Sequence, residues 1–373
     1  MNEPIRILML FTILNRGGAE TMVMNYYRNI DRSKVQFDFV VHRPERGAYE
    51  DEIEALGGRI YRMMPLHPLT FGKYKEQIKE FFDQHNEYKI IHGHCSESGY
   101  FIYQEAAKRG IPVIIAHAHS TKAMFDAKWF FRTYFKHAMR RYVTDIFTCG
   151  EESAIWLAGK KLGSKATLQR NAIDTAKYLF SQSKTKDIKD ELGIPEDYLV
   201  IGHVGSFWKI KNQTFLIDVF NELHRKNPKT KLILIGEGEL KNDVENKVKR
   251  LNLQNSVSFL GSRNDVPELL KALDFFVFPS FGEGLSVAML EAQCAGLKCV
   301  VSDRIPREVQ MTDLVSFLPL EKGAEYWAEE IIKASQTAHD RTNYPAKIAQ
   351  AGYDIKINAE WLQNLYIELW QRH

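Results

Sequence analysis

Short apolar runs alternate with amphipathic stretches along almost the whole chain, and the two periods sort it into elements. Continuous apolar runs at 5–11, 37–41, 59–63, 90–94, 113–117 and 146–149 predict strands. Helical spacing begins at Ala19 and recurs over 49–56, 74–82 and 99–109, and a last strand with a polar turn at 166–174 closes the series. The segment SQSKTKDIKDELGIPED has the charge density of a surface connector, which puts a domain boundary near 175–197. Beyond it the alternation restarts, with strands at 199–205, 232–236, 257–260, 275–278, 300–302 and 315–318 and helices over 213–225, 240–251, 285–295 and 324–334. Strands that read as apolar throughout, each followed by a helix, form parallel sheets covered on both faces. The expected fold class is therefore α/β: two doubly wound, Rossmann-like domains, 1–175 and 176–355, whose ligand-bearing strand ends face a cleft. Trp361, Leu362, Leu365, Tyr366 and Leu369 keep near-helical spacing and predict a terminal helix.

The stretch FFVFPSFGEGLSVAMLEAQCAGLKCVV at 275–301 reads as strand, glycine-rich turn and helix, and it concentrates candidate chemistry. Glu283 lies in the turn and Glu291 follows eight residues later on the helix, so both carboxylates can face one crevice. The N–H groups of Gly284, Leu285, Ser286 and Val287 would open the helix, and a helix start with unsatisfied donors is an anion site. A nucleotide diphosphate fits such a start, with Glu291 accepting bonds from ribose hydroxyls. Glu291 sits between apolar neighbours on a helix leading into a buried strand, so its charge needs a partner.

Composition narrows the choices. The chain has 373 residues, 45% of them hydrophobic, enough for two ordinary cores. Its 50 basic and 47 acidic residues leave a net charge of +3, which makes no whole-protein case for nucleic acid. Cys95, Cys149, Cys294 and Cys299 lack the paired spacing of a metal site and suit the buried, reduced thiols of a cytoplasmic protein. No signal peptide is expected ahead of Ile5, and no run reaches transmembrane length.

The pattern PSFGEGLSVAMLEAQCAG, late in the second domain and in its strand–loop–helix setting, resembles the two-glutamate signature of the retaining glycosyltransferases of family four, which have the GT-B architecture. The resemblance is nearest to their exopolysaccharide and capsule branch and spans nearly the whole chain. It implies a metal-independent enzyme without a cofactor that moves a sugar from a nucleotide diphosphate donor, most readily a UDP-sugar, to a glycan or lipid-linked acceptor. It also implies a last helix, 356–373, that returns to the first domain. In the family a strand ending in Gly-Arg is followed by a lysine of the donor site. Here Gly205 and Lys211-Asn212 match, whereas the arginine position is Ser206, with Lys209 as the available substitute. The resemblance assigns Lys211 and the amides of 284–287 to the diphosphate, Glu291 to ribose, Glu283 to the donor sugar's hydroxyls, and backbone near Arg263 and Asn264 to the base. Gly17 and Gly18 match the family's glycine loop near the donor's phosphates. A histidine at the end of the strand PVIIAHAH reaches the donor sugar near the reacting carbon; His119, followed by Ser120 and Thr121, fits best, and His117 is the alternative. Retention without a clear second nucleophile implies a same-face displacement in which the leaving phosphate takes the acceptor proton.

Gly236-Glu237-Gly238 could be mistaken for a dinucleotide fingerprint but lacks the third glycine, which disfavours hydride transfer. The doublets His92–His94 and His117–His119 carry no HExxH pattern or carboxylate ligand set, so no metal is expected. KWFFRTYFKHAMRRY at 128–142 interleaves aromatic residues with Lys128, Arg132, Lys136, Arg140 and Arg141, as an interfacial helix resting on anionic membrane would. That composition also suits an ordinary domain helix. Two rival functions share these features: a nucleotide-sugar epimerase of the same architecture and a non-catalytic, membrane-associated partner protein.

Overall fold

In the computed structural model the described residues are 3–95, 99–119 and 129–373, so Ser120, Thr121 and Lys128 lie outside them. The chain divides into two units: Met1–Ala172 with Ile355–His373, and Ile173–Asp354. The first unit runs β1 (Ile5–Leu10), α1 (Gly18–Asn29), β2 (Val35–Val41), α2 (Glu50–Ala55), β3 (Ile60–Arg62), α3 (Phe71–Gln84), β4 (Ile90–Gly93) and α4 (Tyr100–Lys108). It continues with β5 (Val113–Ala118), α5 (Trp129–Met139), β6 (Asp145–Thr148), α6 (Glu151–Gly163) and β7 (Thr167–Leu168). Its parallel sheet has the order β3-β2-β1-β4-β5-β6-β7. Alternate residues of β1 enter different cores: Ile7 and Met9 join one cluster with α1, and Leu8 and Leu10 join the other with α3 and α4. A strand covered on both faces has no polar side, which is why it reads as one apolar run.

The second unit runs α7 (Gln182–Glu191), β8 (Leu199–Val204), α8 (Gln213–Lys226), β9 (Thr230–Ile235), α9 (Lys241–Arg250), β10 (Val257–Gly261), α10 (Val266–Lys271) and β11 (Phe275–Phe278). It ends with α11 (Val287–Cys294), β12 (Lys298–Ser302), β13 (Val315–Leu318), α12 (Gly323–Ser335) and α13 (Tyr344–Ile348), after which α14 (Ile355–Gln371) belongs to the first unit. The sheet order is β10-β9-β8-β11-β12-β13, again parallel. In each sheet the order reverses once, between β1 and β4 and between β8 and β11, and ligands of such sheets gather at the strand carboxyl ends beside that reversal.

Several helices depart from the sequence expectation. The supposed connector holds α7, whose Ile188 packs on the second unit's core while Lys189 is buried with its Nζ 3.5 Å from the carbonyl of Tyr198. The long stem of a lysine can cover apolar surface, so charge density alone misreads such a helix as solvated. α6 and α10 fall where no helix was expected; α6 is broken at Gly159, whose φ of 77° disrupts its periodicity.

Arg341 ties the second unit together. Its guanidinium donates to the carbonyls of Ala295 at 2.9 and 3.0 Å, Leu273 at 2.8 Å and Leu270 at 3.2 Å, and it lies 4.7 Å from the ring centre of Phe180. It thereby satisfies carbonyls at the ends of α10 and α11, groups a helix cannot bond internally. Burial lowers its pKa to about 10, still fully charged at neutral pH. Arg341→Ala should strand several buried carbonyls and lower the stability of this unit by about 3 kcal/mol, read as a shift of its transition in urea melts.

Candidate functional site

At the reversal of the second sheet, the loop after β8 and the loop after β11 meet through one ion pair. Lys211 Nζ lies 2.7 Å from Glu283 Oε1 and 2.9 Å from Oε2, with the side chains 17% and 11% exposed, so water screens the pair only weakly. The local fold explains the approach. A short 3-10 turn, Lys209–Lys211, ends at Asn212 in the left-handed region (φ 56°), and the Asn212 side chain donates to the carbonyl of Pro279 at 3.1 Å. The Phe281 amide bonds the Ile210 carbonyl at 2.8 Å, which fastens the two loops a second time. Lys211 Nζ also sits 5.0 Å from the ring centre of Phe278. Lys209 remains exposed, and the Ser206 carbonyl accepts from Gln213 at 2.9 Å.

α11 begins two residues later than the spacing suggests. Ser286 takes the extended N-cap conformation (φ −70°, ψ 125°) without a side-chain capping bond, so Val287 is the first helical residue and Gly284 and Leu285 belong to the loop. Leu285 opens the apolar spacing, but serine is the stronger start signal. The first-turn amides therefore begin at Val287 and lie beside Ser286. Ser280, at the root of the same loop, is fully buried, and its Oγ has no hydrogen-bond partner among the described residues. Such an orphan marks a place where a further polar group can bind.

Glu291 has the partner its setting requires. Tyr178, from the 3-10 turn Thr175–Tyr178, is buried and donates its hydroxyl to Glu291 Oε1 at 2.8 Å. Burial raises the Glu291 pKa to about 7, and the Tyr178 bond works against that rise. Sequence gave no sign of Tyr178, since its role depends on a contact across 113 positions. Gly205 adjoins this region for steric reasons: a Cβ on Gly236 (φ 140°) would lie 2.2 Å from the Gly205 carbonyl oxygen, so these turns meet backbone to backbone. Arg263 lies after β10, and its guanidinium is held by Asp265 at 2.8 and 2.5 Å. Its side chain is thus committed locally, whereas the expectation for this segment concerns its backbone.

In the first unit, four histidines at the ends of β4 and β5 form one stack. His92 Nδ1 meets the Tyr366 hydroxyl at 2.6 Å and its Nε2 meets His117 Nδ1 at 3.1 Å, while His94 Nδ1 meets His119 Nε2 at 2.9 Å. His94 stacks on Phe11 with ring centres 4.6 Å apart, and His117 on His119 at 4.1 Å. Burial keeps His119 at about 4 and His92 at about 3, and it pushes His94 and His117 well below the ordinary value, so all four are neutral at physiological pH. His117 faces His92 inside the stack, and His119 closes its outer end on His94. Nitrogens of His92, His94 and His117 lie within 4.8 Å of one another, close enough to consider a metal ion. Both nitrogens of His92 are already bonded, one to Tyr366 and one to His117, so a metal would have to displace those bonds.

Gly17 is the N-cap of α1, and a Cβ there would meet the Glu20 carboxylate at 2.3 Å. A Cβ on Gly18 would meet nothing within 4 Å, so no contact in the described structure requires that glycine. Burial raises Glu20 to about 7, a perturbed carboxyl that did not figure in the sequence reading.

Comparison with known proteins finds relatives among glycosyltransferases. Glycosyl transferases group 1 matches residues 184–354, and Glycosyltransferase Family 4 matches residues 16–177. EpsF of Bacillus subtilis (strain 168), whose description as a glycosyltransferase is itself provisional, is 34% identical over 371 residues, 97% of this chain and 96% of its own. The UDP-Gal:alpha-D-GlcNAc-diphosphoundecaprenol alpha-1,3-galactosyltransferase of Escherichia coli is 31% identical over 227 residues, 58% of each chain. The crystal structure of Anabaena HepE in complex with UDP and glucose has a TM-score of 0.78 at 19% identity, covering 97% of this chain and 99% of that one.

The raised pKa of Glu291 has a thermodynamic sign. A carboxyl whose folded value is about 7 against an ordinary 4.5 favours the fold below pH 4.5 and costs stability as pH rises through 7. Glu291→Gln should remove this dependence. Its melting temperature should match the wild type near about pH 4.5 and exceed it near about pH 8, as calorimetry at the two values would read.

Proposed function

Because the chain belongs to glycosyltransferase family 4 and has the GT-B fold of two Rossmann-like domains, we propose that it transfers a sugar from a UDP-sugar to a lipid-linked or glycan acceptor, with retention and without a metal ion, in exopolysaccharide or capsule assembly. The observation that carries this reading is the Lys211–Glu283 pair at the β8–β11 reversal, beside the uncapped start of α11. A cation and a set of free first-turn amides are what a diphosphate needs in a partly dry site. UDP as the donor nucleotide is supported by the HepE complex and by the UDP-galactose named for the E. coli relative. The diphosphoundecaprenol in that relative's name supports a lipid-linked acceptor.

Each residue then has one task. Lys211, with amides of 284–287, neutralises the diphosphate and stabilises it as it leaves. When Lys211 turns to phosphate, Glu283 is released to accept bonds from the donor sugar's hydroxyls. Tyr178 holds Glu291 Oε1, and Oε2, which makes no hydrogen bond among the described residues, takes a ribose hydroxyl. His119 is neutral through burial, so it can hydrogen-bond beside the anomeric carbon without repelling the positive charge that grows there. Gly18 leaves room for phosphate oxygens to approach the backbone. In the step itself the bond from C1 to the UDP oxygen breaks, the acceptor oxygen bonds C1 on the same face, and the acceptor proton passes to a phosphate oxygen of UDP.

Lys211→Met should weaken UDP binding roughly 10- to 100-fold, since a charge-assisted bond contributes about 1.5–3 kcal/mol, as titration calorimetry would show. Glu283→Gln should leave UDP affinity within about threefold of the wild type and lower transfer kcat by about 100-fold, because its bonds form to the sugar. Equal losses of UDP affinity in both variants would merge the two roles. Transfer should continue in EDTA; restoration by manganese of activity lost to EDTA would give the histidine stack a metal and refute the metal-free reading.

A further inference from the structure

The first unit carries an aromatic groove that the donor chemistry does not use. It lies among α3, α4 and α5 and has a volume of about 510 Å³, within the roughly 300–1,000 Å³ of small-molecule sites. Its floor is a set of packed rings: Phe101 lies 5.1 Å from Phe71 and 5.3 Å from Phe135 between ring centres. Its rim is Phe130 and Tyr134, one helical turn apart on α5, which remain 76% and 63% exposed. A single exposed aromatic needs no explanation, but two on one turn, continuous with aromatic walls, form an apolar patch of the kind that marks a binding surface.

The α5 side of this surface carries charges of one sign. From Trp129 to Thr144 the sequence has Arg132, Lys136, Arg140 and Arg141 and no acidic residue. Within the unit Lys136 lies 4.2 Å from the ring centre of Trp156, and Arg140 donates to the Leu157 carbonyl at 2.8 and 3.0 Å. Exposed Arg141 and, on the groove wall, exposed Lys75, whose Nζ is 5.0 Å from the Phe101 ring centre, supply positive charge at the surface. The helices also place the groove relative to the site. Tyr100 and Phe101 open α4, the next helix after β4, and that strand bears His92 with His94 just past its end, so the groove begins at the same carboxyl edge of the sheet as the histidine stack.

We propose that this groove takes the first isoprene units of a polyprenyl diphosphate-linked acceptor, with its diphosphate drawn by the cations at the mouth. The proposal rests on the lipid-linked acceptor reading above and assigns it a surface. A hydrocarbon chain carrying an anionic head matches apolar walls edged with positive charge.

Farnesyl diphosphate serves as a water-soluble probe of the full chain, titrated calorimetrically beside inorganic diphosphate and beside vesicles of anionic lipid without prenyl compounds. Farnesyl diphosphate should bind more tightly than inorganic diphosphate, and the double variant Phe130→Asp/Tyr134→Asp should weaken it by about tenfold or more while UDP affinity stays unchanged. Both positions are exposed, so the fold should survive, and an unshifted melting curve checks this. A photoreactive prenyl diphosphate should label peptides from 71–75, 100–101 or 129–135. Equal affinity for inorganic diphosphate, labelling elsewhere, or vesicle binding abolished by the same variant with no farnesyl diphosphate binding would overturn the proposal, the last result making the patch a membrane contact. Groove binding in a protein that transfers no sugar to any lipid-linked acceptor would instead sink the acceptor reading and leave the groove standing.

Discussion

The donor-side arrangement depends on one electrostatic constraint: Lys211 and Glu283, 72 positions apart, neutralise each other in a partly buried setting. Removing either charge would leave the other largely out of water, which costs far more than the pair itself contributes. The pair therefore fixes the distance between the two loops that carry the chemistry. In the donor site proposed above, a diphosphate entering beside α11 would offer Lys211 a stronger partner and set the carboxylate loose at the same moment. That proposal would couple ligand binding and carboxylate exposure in one exchange.

Those strands explain why the loops can be so exacting. Both sheets are parallel and covered on two faces, and the reversal of strand order leaves a gap at the carboxyl edge that neither flanking crossover fills. Packing beneath the second gap is close enough for the Gly236 turn to rest on the Gly205 carbonyl and for Asn212 to adopt a left-handed conformation. Rigid elements below and unsaturated donors above are what a site needs if binding energy is to be used on the ligand rather than on ordering the protein.

The sequence was informative where burial is periodic and silent where a partner is distant. Each strand with two covered faces was legible as an apolar run, and the 275–301 stretch showed its turn, its helix and both glutamates. The start of α11 was misplaced because apolar spacing at Leu285 outweighed the cap at Ser286. α7 was taken for a connector because Lys189 is buried by its stem, a fact that no hydropathy pattern contains. Glu291 could be recognised as a charge in need of a partner, but Tyr178 could not be named. The two histidine doublets were visible, whereas their merger into one neutral stack needed the pairing of β4 with β5.

The last helix carries a consequence for how the chain comes to be made. α14 supplies Ile355, Ala359, Leu362, Tyr366 and Leu369 to the core that contains β1, β2 and α1, and its Gln363 accepts from the Asp31 amide at 2.8 Å. During synthesis the first 172 residues of that unit emerge early, yet a whole wall of their core is still untranslated. The second unit is an unbroken segment and can complete its core before that wall arrives. The half of the protein that leaves the ribosome first is therefore the half whose core is completed last.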